Sequence, residues 1–344
     1  MDDDRWDRWP EPWVGTDSDM RTVVEAIPRE VKDGFGYDRI PWQRYPHFYG
    51  PGEEVPGLLT RLASGDPEAA RRALGELWDG LHHQGSTIAV AALAVPFLLR
   101  IAAAGSPALR ASTLRLVAEI ARCQHFGDGS REGLLQVAED PDDAEGTTLC
   151  PVDWTIQAAR AALTADLDLL FPCLADPDPE VRSAAAFVLA TANGGIPRVS
   201  CALHGRLAVE GDPAVRVSLI LAIAQLARED RADRDDRGDR DDRDDRDDRD
   251  DRDDRDEQVP AWARSLWSDA AQPRETRVGA ALAWLCLVDD PVPGELRTLL
   301  TDPRTDGLGE LFEQVPWIPP VDYRHGLRRC IHEMLTPEVP WHSR

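Results

Sequence analysis

The chain has 344 residues, 42% of them hydrophobic, with a formal charge of −24 and a pI near 4.7. That apolar share supplies a sizeable core. The acidic balance disfavours a sequence-independent grip on nucleic acid or an anionic membrane, which requires clustered Lys and Arg, and favours a protein partner, in particular a basic one. Six cysteines, Cys123, Cys150, Cys173, Cys201, Cys286 and Cys330, form no C-x-x-C pair and read as reduced, buried thiols, so no metal or cofactor is expected.

Residues 1–54 carry Trp6, Trp9, Trp13 and Trp42 among prolines, glycines and acids, with one short helix expected around Thr22 to Lys32. The opening M-D-D-D-R-W is acidic where a secretory signal would be basic and then apolar, so a cytoplasmic location is expected. W-Q-R-Y-P-H-F-Y-G-P-G, from Trp42 to Gly52, is rich in rings but punctuated like a loop. Its aromatic side chains are expected to cap the open end of the first helical unit, with ligand stacking as the sharper alternative.

Paired helices are expected from Val55. V-P-G-L-L-T-R-L-A-S-G is short, and its partner runs from Asp66 to His83 and contains Arg71. The apolar helix that follows, Ser86 to Gly105, is expected to kink or break at Pro96. Its uncharged run from Gly85 to Leu99 is too short to span a bilayer. The next helix carries Arg110, 39 residues after Arg71, and a degenerate unit is expected around Leu149 to Asp166.

The stretch from Ala175 to Ala227 is the clearest. Asp178 and Asp212 stand at N-cap positions, Pro179 and Pro213 at the first helical positions, and Arg182 and Arg216 are 34 residues apart, a stacked-repeat spacing. Residues 229–257 are a near-perfect D-D-R tandem, nine Arg against eighteen Asp and Glu, which reads as a disordered loop expansion. Without those 29 residues Arg216 and Arg277 would be 32 apart, again close to one repeat. Further repeats are expected over 258–306 and a C-terminal cap over 307–344.

The D-P-x-V-R unit, the helix pairing and the period of 32 to 39 residues resemble HEAT repeats, including the bilin-lyase-type HEAT-like subset. The resemblance implies an all-α, right-handed α-solenoid of stacked antiparallel helix pairs, with the main repeat block at 55–228. A narrower likeness is to an actinobacterial HEAT-repeat group with no assigned reaction. It is carried by His47, Tyr49, Gly50, Glu76, His83, Gln84, Gly85, Pro96 and Phe97, with departures at Gly75, Trp78 and Ser86.

His47, Tyr49, Glu76, His83 and Gln84 are therefore the candidate binding residues. Glu76, Asp79 and His83, at i, i+3 and i+7, would share a helical face with His82 nearby, while H-H-Q-G reads equally as helix C-terminal punctuation with Gly85 at C′. The arginines Arg71, Arg110, Arg182, Arg216 and Arg277, with Asp178 and Asp212, read as a structural ladder in which each arginine bridges an acidic turn. No G-x-x-x-x-G-K, G-x-S-x-G or H-E-x-x-H occurs, and no catalytic residue is assigned. The expected function is a non-enzymatic protein-interaction module acting as scaffold or regulator. The alternatives are an enzyme on the same fold, bilin-lyase-like or DNA-glycosylase-like, and a toxin-neutralising, immunity-type binder.

Overall fold

Aspartate followed by proline starts the helices. Asp66, Asp178, Asp212 and Asp302 each accept backbone N–H bonds from the first turn of the helix they precede, and a proline occupies the next position, where no N–H is needed. The computed structural model describes residues 19–83, 85–104, 107–122, 128–137, 152–238, 247–318 and 326–339. Within these the chain is all-α apart from one two-stranded hairpin and an isolated bridge, and it divides into two units.

The first unit comprises residues up to Cys123 together with 138–173. Its helices are α1 (Met20–Glu25), α2 (Arg29–Asp33), α3 (Val55–Leu62), α4 (Pro67–Leu81), α5 (Ala89–Ala104), α6 (Pro107–Ile120) and α7 (Val152–Ala165). Pro28 divides the single helix expected near Thr22 to Lys32 into α1 and α2. α5 is the hub. It is buried on every side from Ala89 to Ala102 and packs against α6 and α7, while α3 lies against α4. The break or interruption expected at Pro96 does not occur, because burial all round α5 outweighs the loss of one backbone hydrogen bond. Trp42 is buried against Phe97, with ring centroids 6.0 Å apart, and its Nε1–H donates to the Tyr37 carbonyl at 2.8 Å. Arg100, buried on α5, grips both oxygens of Asp166 at 2.8 and 3.1 Å and reaches Asp33 at 2.7 Å, so the start of the chain and the turn after α7 are tied to the hub.

The second unit comprises 124–137 and 174–344. It holds α8 (Pro179–Leu189), α9 (Ile196–Leu207), α10 (Pro213–Gly238), α11 (Asp247–Ser268), α12 (Arg274–Leu287), α13 (Gly294–Thr301), α14 (Pro303–Asp306), α15 (Gly309–Phe312) and α16 (Gly326–Leu335). α10 packs on α8, α9 and α12, and α11 packs on α12. Helices α10 and α12 approach closely at Gly279, where a Cβ would lie 2.9 Å from a Val217 methyl. Of the segment expected to be disordered, 229–238 and 247–257 are helical and 239–246 lie outside the described residues. Helix propagates outward from the packed parts of α10 and α11, adding one hydrogen bond per residue without a new nucleus, and so overrides the weak propensity of Asp.

The arginines placed in register make different contacts. Arg110 Nε donates to Ala102 O at 2.9 Å, Arg216 Nη1 to Leu207 O at 3.2 Å and Arg277 Nε to Trp267 O at 2.9 Å. Each therefore satisfies a carbonyl at the C-terminal end of the preceding helix, where intrahelical donors have run out. Arg182 forms a buried bidentate pair with Glu210, at 2.9 Å for both bonds, and also donates to the carbonyls of Asp176 and Pro177. Arg71 is exposed and pairs only with Glu68 of its own first turn. Arg182 and Arg216 also bind the acidic turns expected of them, Arg182 through the carbonyls of Asp176 and Pro177 and the carboxylate of Glu210, and Arg216 through the Glu210 carbonyl at 3.0 Å. The ladder expected from spacing thus joins turn bridging to helix-end capping.

Of the cysteines, Cys173 and Cys330 are buried and Cys286 is half-buried, none of the three in a disulfide, and burial pushes Cys286 up to about 12. Cys201 is exposed, unlike the buried thiol expected, because it lies on the outer side of α9, where only Val199 and Leu203 are buried. Cys123 and Cys150 fall outside the described residues. Among the described residues no helix is long and apolar enough to cross a membrane.

Candidate functional site

A tight turn builds one side of the site. His47 and Gly50 exchange backbone hydrogen bonds across Phe48 and Tyr49, and the Phe48 N–H donates to the Gly80 carbonyl at 3.0 Å, pinning the turn to the end of α4. Two glycines make room for it. A Cβ on Gly80 would stand 3.2 Å from His47 Nδ1, and one on Gly52 would stand 1.9 Å from the Tyr45 carbonyl oxygen.

His47 is fixed at both ring nitrogens. Its Nδ1 accepts from the Tyr49 N–H at 3.3 Å, so in the neutral ring the proton sits on Nε2, which faces Glu54 Oε2 at 3.4 Å. Both ring nitrogens thus face partners within the turn and its flanking 3-10 helix. Across the cleft, Arg61 on α3 pairs with Glu76 on α4 at 3.2 Å, both side chains about half exposed. His47, Tyr49, Glu53, Glu54, Arg61, Glu76 and Asp79 line an open cleft of about 590 Å³, with Gly57, Leu58 and Gly80 at its floor.

Glu76 and Asp79 share the cleft, but His83 does not continue their helical face. α4 ends at Leu81, and His82 and His83 form a strand, β1 (His82–His83), paired antiparallel with β2 (Ser86–Thr87). Gly85, at φ 83°, supplies the left-handed residue of that hairpin turn and is not the C′ residue of a helix. His83 instead meets Tyr49, whose hydroxyl lies 3.1 Å from Nδ1 and 3.2 Å from Nε2, edge to face with the ring. Gln84 lies outside the described residues. His82 has its Nδ1 buried without a hydrogen-bond partner, and burial lowers its pKa.

Glu53, Glu54 and Arg61 were missed in the sequence. The acidic pair in P-G-E-E-V-P is visible there, but only the antiparallel pairing of α3 with α4 brings it opposite Glu76 and Asp79. Among the described residues no group of three or more His, Cys, Asp or Glu is placed to hold a metal ion.

A model of the HEAT repeat matches residues 167–191, which cover the turns after α7 and the whole of α8 with its Asp178 cap and Arg182. The chain carries a HEAT repeat. Helices before and after this HEAT repeat begin with the same Asp-Pro punctuation, α4 at Asp66-Pro67 and α10 at Asp212-Pro213. No curated protein matches the chain. A solved structure of an engineered protein from the Northeast Structural Genomics Consortium is 17% identical, covering 82% of this chain and 95% of its own, with a TM-score of 0.38.

Proposed function

We propose that this chain is a non-enzymatic protein-binding module of the cytoplasm that serves as a scaffold or regulator. What supports the reading is the HEAT repeat set among helix pairs, since such pairs bury their apolar faces on one another and leave polar outer surfaces for partners. A basic partner suits the net charge of −24. An enzymatic reading is not favoured by the cleft, where the best-placed imidazole, His47, is engaged at both nitrogens.

Affinity purification of the intact chain from its native cytosol, followed by mass spectrometry, tests the proposal. The expected result is a protein retained at fixed stoichiometry through a wash near physiological salt. A co-purifying small molecule or nucleic acid with no protein at stoichiometric yield would overturn it.

A further inference from the structure

The cleft between the His47–Gly50 turn and the α3–α4 pair is concave and unevenly charged: four carboxylates, Glu53, Glu54, Glu76 and Asp79, stand against one guanidinium, Arg61. Glu53 and Asp79 make no hydrogen bond or ion pair in the described structure, whereas Glu54 and Glu76 each engage a single oxygen, with His47 and Arg61 respectively. Uncompensated like charges in a cleft focus their field on whatever enters it and favour a cation there. At the rim, Tyr49 is 64% exposed, one of the few exposed large hydrophobic residues described, with its hydroxyl held at His83. An aromatic face beside carboxylates suits a flat guanidinium, which can stack on the ring while donating in pairs to a carboxylate, better than it suits a compact ammonium.

We infer that this cleft is a receptor for an arginine side chain on an extended, basic segment of the partner protein. The inference rests on the protein-binding reading and adds the residue type recognised and the place of recognition. Glu53 and Asp79 supply the charge, Tyr49 the stacking face, and His47 keeps Glu54 turned toward the cleft through its Nε2–H. The cleft volume of about 590 Å³ admits one side chain with its flanking backbone and not a folded element.

The test uses the full chain and a fluorescein-labelled peptide of alternating Gly and Arg, with its Gly and Lys counterpart, read by fluorescence anisotropy at about 0.15 M salt. Saturable binding of one arginine peptide per chain is expected. The double variant E53Q/D79N should weaken it about ten-fold and Y49A about three-fold. E313Q/E338Q, which removes the same charge from exposed positions outside the cleft, should change it by less than about two-fold. The lysine peptide should bind at least about three-fold more weakly than the arginine peptide. Equal weakening by E313Q/E338Q, or equal binding of the lysine peptide, would overturn the assignment. If the native partner co-purifies as well with E53Q/D79N as with the wild type, the arginine cleft falls and the protein-binding reading stands. If no partner exists, the reading falls on its own experiment.

Discussion

Glu210 offers the sharpest test of what holds the second unit together. Its carboxylate is almost wholly buried and accepts from Arg182 Nε and Nη2 at 2.9 Å each, from Arg206 Nε at 2.8 Å and from the Asp212 N–H at 2.9 Å. Burial pushes this carboxyl upward, but the arginines and the backbone N–H outweigh it and hold it at about 2, against an ordinary 4.5. That depression corresponds to about 3 kcal/mol of stability, complete above pH 4.5 and lost as pH falls from there toward 2. Glu210→Gln removes the charge and one of the two acceptors, setting an amide NH2 against a guanidinium N–H. It leaves the buried Arg182 cation with neutral partners, the remaining amide oxygen and the carbonyls of Asp176 and Pro177, and breaking a buried ion pair costs about 3–5 kcal/mol. The two estimates converge on a loss near 3 kcal/mol, or about 6–12 °C in the midpoint of the unit. Chemical unfolding at pH 7 and pH 3 measures it, with hydrogen exchange over 179–227 locating the loss. The gap between wild type and E210Q should narrow at the lower pH. A variant within about 0.5 kcal/mol of wild type at pH 7, or an equal gap at both pH values, would refute the argument.

Three further outcomes are expected. Trp317, buried against Phe187 at 4.7 Å between centroids, donates Nε1–H to Gln225 Oε1 at 2.8 Å, and Gln225 in turn donates to the Ala190 carbonyl. Trp317→Phe should therefore cost about 1–3 kcal/mol by leaving a buried acceptor unmet, seen in urea unfolding with no change in m. Asp166→Asn should destabilise the first unit by about 3 kcal/mol, because Arg100 would lose the charge and one of the two acceptors that pair with it, and thermal scans would show this as a lower midpoint. Gly52→Ala should displace the Tyr45–Gly52 turn, since its Cβ would overlap the Tyr45 oxygen, and so abolish arginine-peptide binding while the α5–α7 amides keep their exchange protection.

Helix starts were legible because they are local. An Asp that caps and a Pro at the next position act within four residues, and Asp178 and Asp212 were visible as such, while Asp66 was placed at the start of its helix. Helix interiors were legible where apolar residues surround the axis, as in α5 and α8. What the sequence concealed depends on contacts between segments distant in the chain. Arg182 could be seen as part of a repeat, but its partner Glu210, 28 residues on, lay in a stretch without pattern. Trp317 could be placed in a terminal cap, but not its bond to Gln225, 92 residues before it. At the candidate site, Tyr49 was marked by resemblance alone, Glu76 also by its helical spacing with Asp79, and His83 was placed on the wrong element. A helix and a two-residue hairpin both end in H-H-Q-G, and only the pairing with Ser86 and Thr87 decides between them. The D-D-R tandem misled because Asp propensity was weighed without the anchored helices on either side.

Hydrogen exchange of the full chain, alone and saturated with its purified protein partner, tests the central claim most directly. The account predicts slowed exchange in peptides covering the His47–Gly50 turn and the α3–α4 pair, Val55–Leu81, with α5 unchanged because it is already buried. Exchange unchanged in every helix pair at saturating partner would contradict it.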